Sequence, residues 1–165
     1  MKLTDLLLAQ LEREIPATRK ALERVPEGKA DWKPHPKSMA LGYLSTLVAT
    51  MFGWIATMVE SEYLDLGTGG GGSSPSNREE RLALFDQSAE KARRALSSTT
   101  DDHLLQPWQL RVGGNVVDEK PRYIMITDTF SHLAHHRGQL AVYLRLNDQP
   151  VPSIYGPTAD EGWQR

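Results

Sequence analysis

His132 and His136 stand four residues apart inside Ser131-His132-Leu133-Ala134-His135-His136-Arg137-Gly138-Gln139. On a helix, residues at that spacing stack on one face about 5 to 6 Å apart, so two imidazole nitrogens can meet one metal ion. This is the minimum geometry of a chelate, although an isolated helical pair can equally pack or hydrogen-bond with no metal. His135 points off the shared direction, which suits a neighbouring or surface group. Asp128 lies one turn before His132 on the same face. About 12 Å of helix axis separates it from His136 at ~1.5 Å per residue, so its place is that of an outer partner for an imidazole N–H. The chain has no cysteine, so any metal must use His, Asp or Glu, and disulfides and catalytic thiols are excluded. Ser131 and His132 diverge as helix neighbours, and no Gly-x-Ser-x-Gly elbow occurs, so serine hydrolysis has little support.

The elements that must position this pair follow from apolar periodicity. The first predicted helix, about Thr4 to Arg24, carries Leu8, Leu11, Ile15, Thr18 and Leu22 on one stripe. Pro16 within it removes a backbone donor and predicts a kink. The second, about Met39 to Leu64, has Leu44, Val48, Met51, Ile55 and Met58 on a seam widened by Leu47, Phe52 and Val59, apolar enough to be central. The third starts at a capping box, Ser76-Asn77-Arg78-Glu79, and repeats Leu82, Phe85, Ala89, Ala92 and Leu96. The fourth runs from about Pro121 to Leu146, with Ile126, Phe130, Leu133, Leu140 and Leu144 inward and Asn147-Asp148-Gln149-Pro150 as its stop. Four helices of about 20 to 26 residues predict an all-α four-helix bundle formed by residues 1–165 as a single domain.

The connections are too long for a simple up-and-down bundle, so a long crossover is expected. Trp32-Lys33-Pro34-His35-Pro36 is a stiff segment whose Trp packs onto the bundle. The run Gly67 to Ser74 reads as mobile; it lacks a Lys at P-loop spacing and no predicted strand precedes it, which argues against a phosphate cradle. Trp108 to Val117, with a Gly-Gly-Asn turn, reads as a short hairpin-like flap. The Pro-rich tail after Pro150 is expected to pack back on the bundle or on a partner subunit. His35 and His103 read as loop residues.

Composition narrows the partners. The 165 residues hold 19 Lys and Arg against 21 Asp and Glu, a net charge of -2, so no basic excess is available for nucleic acid or an anionic membrane. No run approaches the ~20 apolar residues of a membrane span, and Asp5, Glu12 and Glu14 interrupt what a signal peptide would need. The expectation is a cytoplasmic protein that binds neither nucleic acid nor membrane.

His136-Arg137-Gly138-Gln139 followed by Leu140 to Leu146 resembles the last helix of the DinB-like superfamily, also described as YfiT-like. Pro150 to Glu161 and Trp32 to Met39 extend the resemblance over most of the chain. It implies a four-helix bundle with a long crossover, often a homodimer, holding nickel or zinc on three histidines. Two of these match His132 and His136. The third belongs to a Leu-x-x-His pattern on the second helix that aligns with Leu44-Ser45-Thr46-Leu47, so this chain has Leu47 where a ligand is implied. Ser45 and Thr46 are neutral hydroxyls pointing elsewhere, and no charged substitute is evident. Arg137 and Gln139 belong to the same motif, Arg137 more as a structural tie than as a substrate clamp. With Asp128, His135 and Tyr143 they form the candidate surroundings of the pair.

Two functions are therefore expected. One is a bundle with a degenerate metal site, non-catalytic or weakly metal-binding and dimeric, in which Leu44, Leu47 and Met51 form an apolar surface facing the histidines. The alternative is a divalent-metal-dependent thiol S-transferase or related hydrolase or isomerase acting with a small-molecule or thiol ligand. No catalytic residue is assigned.

Overall fold

The computed structural model describes residues 2–68 and 75–163. Four long helices dominate: α1 (Leu3–Glu23), α2 (Leu41–Glu60), α3 (Arg78–Ser98) and α5 (Arg122–Leu146), with a single-turn α4 (Asp101–Leu104) before the last. Three short strands, β1 (Tyr63–Asp65), β2 (Pro107–Val112) and β3 (Asn115–Pro121), and a 3-10 turn (Leu66–Thr68) complete the described elements. The predicted stripes turn inward. Leu11, Thr18 and Leu22 of α1, the whole Leu44 to Met58 seam of α2, Phe85 to Leu96 of α3 and Ile126 to Leu144 of α5 meet in one core.

Pair contacts give the directions. Arg19 to Asp86 (3.0 Å) and Arg93 to Glu12 (2.6 Å) set α1 antiparallel to α3. Tyr143 to the Met39 carbonyl (3.1 Å) and Thr129 to Met58 Sδ (3.7 Å) set α2 antiparallel to α5. The end of α2 meets His103, just beyond α3, whereas α3 begins beside Glu27, just beyond α1. Helices α2 and α3 therefore run the same way, which requires the expected crossover between them. The expected mobility and the phosphate question fall on 69–74, outside the described residues.

Several boundaries correct the sequence reading. The fold is mostly helical but not all-α, because β1 pairs parallel to β2 and β2 antiparallel to β3. Leu64, read as helical, is in β1, so a strand does precede the glycine run. Helix α2 stops at Glu60 because its last carbonyls are taken from outside. Arg122, 1% exposed, donates to the carbonyls of Met58 (3.0 Å), Ser61 (3.2 Å) and Pro107 (2.6 Å). His103 Nε2 lies 2.8 Å from the Val59 oxygen, so this histidine sits on α4 and not in a loop. The capping box of α3 is shifted by one residue: Asn77 Oδ1 accepts from Glu80 N at 2.8 Å, and Glu80 accepts from Ser76 N at 2.8 Å. Helix α1 continues through Pro16. By length and composition α2 passes as a membrane span, contrary to the expectation, but 56% of its apolar window is buried inside the bundle. Its apolarity serves the core.

The hairpin turns on Gly113 and Gly114, both at positive φ (56° and 82°), as a two-residue turn matching the twist of the strands requires. Asp65 binds this turn to the crossover: its carboxylate accepts from Gly67 N (2.8 Å), Gly113 N (2.8 Å) and Gly114 N (2.6 Å), which holds its pKa below the ordinary value. A Cβ on Gly67 would lie 2.5 Å from Gly113 N, so only glycine permits this approach.

The tail after Pro150 packs back on the bundle. Asp160 pairs with Arg145 and accepts from Val151 N (2.8 Å), while Glu161 pairs with Arg24 and accepts from Ser153 N (2.8 Å). Tyr155 reaches Glu14 Oε2 at 2.9 Å and also Arg137, joining a buried network. In it Arg137 of α5, 1% exposed, donates to Glu14 Oε2 (2.6 Å) and Thr18 Oγ1 (2.7 Å) of α1. Burial would raise the Glu14 carboxyl. The hydrogen bond and charge of Arg137, with Tyr155 and Arg13, outweigh it and hold the group below its ordinary 4.5.

Two outcomes follow. Asp65→Ala should speed hydrogen exchange at Gly113 and Gly114 while leaving helical circular dichroism unchanged; unchanged exchange would deny Asp65 this role. Glu14→Ala leaves Arg137 buried and uncompensated and should lower unfolding free energy by about 3–5 kcal/mol in urea titration. Because the folded pKa of Glu14 is depressed, its contribution is full above 4.5 and is lost as pH falls through the lowered value. The wild type should therefore lose more stability on acidification than Glu14→Gln.

Candidate functional site

Every histidine of the cluster is on α5, and the rotation of that helix decides where they point. At about 100° per residue, fixing Arg137 toward α1 swings His136 toward α2. His136 is 5% exposed; His132 and His135 are exposed. His132 Nε2 and His136 Nε2 lie 2.8 Å apart with ring centroids at 4.6 Å, so the structure brings the predicted pair together.

The proton positions follow from the partners. His136 Nδ1 lies 2.8 Å from Gln139 Oε1, an atom that only accepts, so His136 carries its proton on Nδ1 and offers the Nε2 lone pair. His132 Nε2 then donates to it. Gln139 Nε2 in turn donates to His135 Nε2 at 3.0 Å. Gln139 thereby fixes the tautomer in which His136 could ligate, the service an outer group renders a metal-binding imidazole. Partial burial, then the neighbouring His136 and His135, push the pKa of His132 below its ordinary 6.5 and favour the neutral ring that a ligand must be.

On this side α5 packs against α2. The Trp54 ring lies 5.7 Å from the His132 ring, and contacts of Met58 with Thr129 and of Met39 with Tyr143 bracket it. Interpolating along these antiparallel helices puts Leu47 and Thr50 level with His136. Leu47 is only partly buried, whereas Leu44 and Met51 are fully buried in the core. The expected Leu44-Leu47-Met51 surface is thus split between core and rim, and Trp54 is the α2 side chain that meets a histidine. Its position, seven residues after Leu47, is the signal that would have found it: two helical turns return to the same face. The hydroxyls of Ser45 and Thr46 are spent on the Gly42 carbonyl (3.0 and 2.8 Å), and that of Thr50 on Thr46 and Leu47.

The remaining candidates disperse. Asp128 bonds Lys120 Nζ at 3.1 Å, because its turn of α5 leans toward the hairpin and not toward an imidazole. Tyr143 packs edge-on against Trp32 (5.3 Å) and donates to the Met39 carbonyl, a core ring with a polar tip. Arg137 is held in the Glu14 network. His35 accepts from Lys37 N in the α1–α2 loop. A groove of about 550 Å³ lies away from the histidines, lined by Arg19, Asp86, Glu27 and Arg78 among others; Arg19 is paired with Asp86 (3.0 Å), and Glu27 accepts from the backbone N–H of Arg78 (2.9 Å).

A metal fits this donor set only in part. Two neutral imidazoles converge, and with bonds of about 2.0–2.1 Å at tetrahedral angles their nitrogens would open to about 3.3 Å, a small movement. Among the described residues, however, no three His, Asp or Glu groups gather as ligands.

A family model described as the DinB superfamily matches residues 10–140. The chain is 31% identical over 77 residues to the uncharacterized protein YrdA of Bacillus subtilis (strain 168), an alignment reaching 47% of this chain and 44% of that protein. It thus spans under half the length of that relative. Two solved structures share the fold, each over 90% of this chain. One is the DinB-like protein YjoA of Bacillus subtilis, with TM-score 0.71, 17% identity and 97% of that chain covered. The other is a DinB-like protein of Bacillus cereus ATCC 10987, with TM-score 0.71, 20% identity and 95% covered. The family match takes in α1 from Gln10 onward, the whole of α2 and α3, and both histidines of the pair, and the chain belongs to the DinB superfamily.

Proposed function

We propose that this chain is a DinB-superfamily bundle with a metal site reduced to His132 and His136. It takes nickel or zinc weakly, completes the coordination with water, an anion or a small thiol, and catalyses no reaction of its own. The observation that carries this reading is the 2.8 Å approach of two Nε2 atoms, one of them held ready by Gln139, with a leucine and a tryptophan lining the opposite helix. Both nitrogens already satisfy each other, so a cation must break an existing hydrogen bond to enter, with two protein donors and not three to replace it. Thiol transfer would require a ligand from another source to hold the metal firmly.

Titration of purified, tag-free protein with nickel and zinc, preceded by elemental analysis, tests this. Wild type should be largely empty as purified and bind weakly, and His132→Ala should lose binding. Leu47→His should tighten binding by at least about tenfold, about 1.4 kcal/mol, since it restores a third imidazole at the level of His136. One firmly held ion per wild-type chain would overturn the reduced-site reading and make a thiol-transferase screen the next step.

Gln139→Leu should weaken whatever affinity the wild type has by about 10- to 100-fold, with little change in melting temperature. An unchanged titration would show that Gln139 does not orient His136.

A further inference from the structure

Among the described residues the bundle buries three arginines, and two of them are fully employed. Arg137 is paired with Glu14, and Arg122 donates to three carbonyls, each residue being 1% exposed. Arg81, at the start of α3, is 6% exposed and has far less. Its one contact is from Nη1 to the Leu22 carbonyl at 3.5 Å, beyond the roughly 2.7–3.2 Å of a good N–H···O bond, and among the described residues no carboxylate pairs with it. The carbonyl end of α1 tolerates a cation there but spends only one of its donors. The unspent donors are not sealed in, since Trp108 Nε1 is the one buried, unpaired side-chain nitrogen or oxygen among the described residues. They open beside the groove of about 550 Å³: Asn77, Arg78 and Leu82, all within four residues of Arg81 on α3, line it together with Glu27. Burial lowers the pKa of Arg81, and the charges that act on it are those of Glu27 and Arg78, both groove walls.

We propose that this groove binds a small-molecule monocarboxylate on Arg81, Arg78 and the first-turn amides of α3, and that Glu27 is a built-in carboxylate holding the place in the free chain. The start of α3 already selects this chemistry. Glu27 Oε1 accepts from Arg78 N at 2.9 Å, although it comes from the α1–α2 loop, 51 residues away. Glu80 N is taken by Asn77 Oδ1, and Glu79 N has no acceptor among the described residues. Charge sets the valence of the ligand. Arg19 and Asp86 pair with each other at 3.0 Å, so Arg78 and Arg81 stand against Glu27 and Glu79, two cations against two anions. Once the exposed Glu27 side chain swings into water, one positive charge is left over, which a single carboxylate neutralises and a phosphate dianion overshoots. A guanidinium receives a carboxylate through two parallel N–H donors, and Arg81 has donors to give. Leu82 and Ala83 also line the groove and offer a short apolar body a surface. Nothing in this site depends on the histidine pair.

Titration of the isotope-labelled full chain with butyrate, followed through amide chemical shifts, tests the proposal. Butyrate should shift the amides of Arg78 and Glu79 with weak affinity in the wild type, and Glu27→Gln, which removes the internal competitor's charge, should tighten binding by at least about tenfold. Arg81→Met should abolish the response while raising the melting temperature or leaving it unchanged, because an apolar side chain replaces a buried cation that has no partner. Arg94→Met, which removes an exposed arginine further along α3, should titrate as wild type. If Arg81→Met fails to fold, Glu27→Gln still decides. Amides that stay unmoved by butyrate in Glu27→Gln, or an Arg81→Met chain that binds as well as wild type, would overturn the site. Equal weakening by Arg94→Met would reduce it to general charge attraction and overturn it too. Tighter binding of inorganic phosphate than of butyrate would overturn the assignment to a monocarboxylate.

Discussion

Arg137 and Glu14 are 1% and 4% exposed at their side chains, and neither can stay inside without the other. A buried ion pair of this kind adds little net stability, because desolvation consumes most of the Coulombic gain, but removing one partner is severely penalised. Its value is in orientation. One point of α5 is locked to α1, and a helix fixed in rotation at one residue is fixed at all of them, since each step turns about 100°. His136, one residue before Arg137 and about 100° round the helix, turns toward α2, and His132 lies on its face four residues earlier. The tail adds a second lock on the same atoms through Tyr155, whose own pKa burial pushes up, so that the phenol stays a neutral donor to Glu14.

The helix facing the histidines is set by the end of α2. A helix leaves its last carbonyls without partners, and here Arg122 and His103 take them from neighbouring segments. The same guanidinium holds the Pro107 carbonyl where the hairpin begins, so the end of α2, the start of α5 and the small sheet are one hydrogen-bonded unit. With α2 anchored there and at Met39 by Tyr143, its register against α5 is determined, and with it the placement of Trp54 beside His132.

Much of this was legible in the sequence because it depends on local period. The four stripes, the crossover, the glycine hairpin turn, the returning tail and the meeting of His132 with His136 all follow from spacing along one element. What was not legible depends on partners distant in the chain. Leu64 looks helical until Arg122 and His103, some 40 to 60 residues on, end the helix before it; β1 exists only because β2 arrives to pair with it. Glu14 sits at an inward position of α1 that any reading would assign to a solvated carboxylate, and nothing in its neighbourhood announces Arg137, 123 residues away. Asp128 shows the reverse error: it lies one turn before His132 on the same face, yet Lys120 across the strand–helix junction takes its carboxylate instead of an imidazole.

The histidine pair closes on itself: the His132 Nε2 proton sits between the two Nε2 atoms, and each ring is satisfied by its neighbour. For the proposed cation to take both Nε2 lone pairs, that hydrogen bond would have to break and the His132 proton move to Nδ1, which keeps the ring neutral. An internal hydrogen bond of this sort is worth about 0.5–1.5 kcal/mol net, so it opposes the metal only modestly. On the proposed function, the larger deficit is on the metal side, where a third protein donor would add a bond without adding an ordering cost, since α2 packs into the core. Leu47, partly buried against that core, offers packing and no donor, so the two imidazoles have only each other and Gln139 as polar partners.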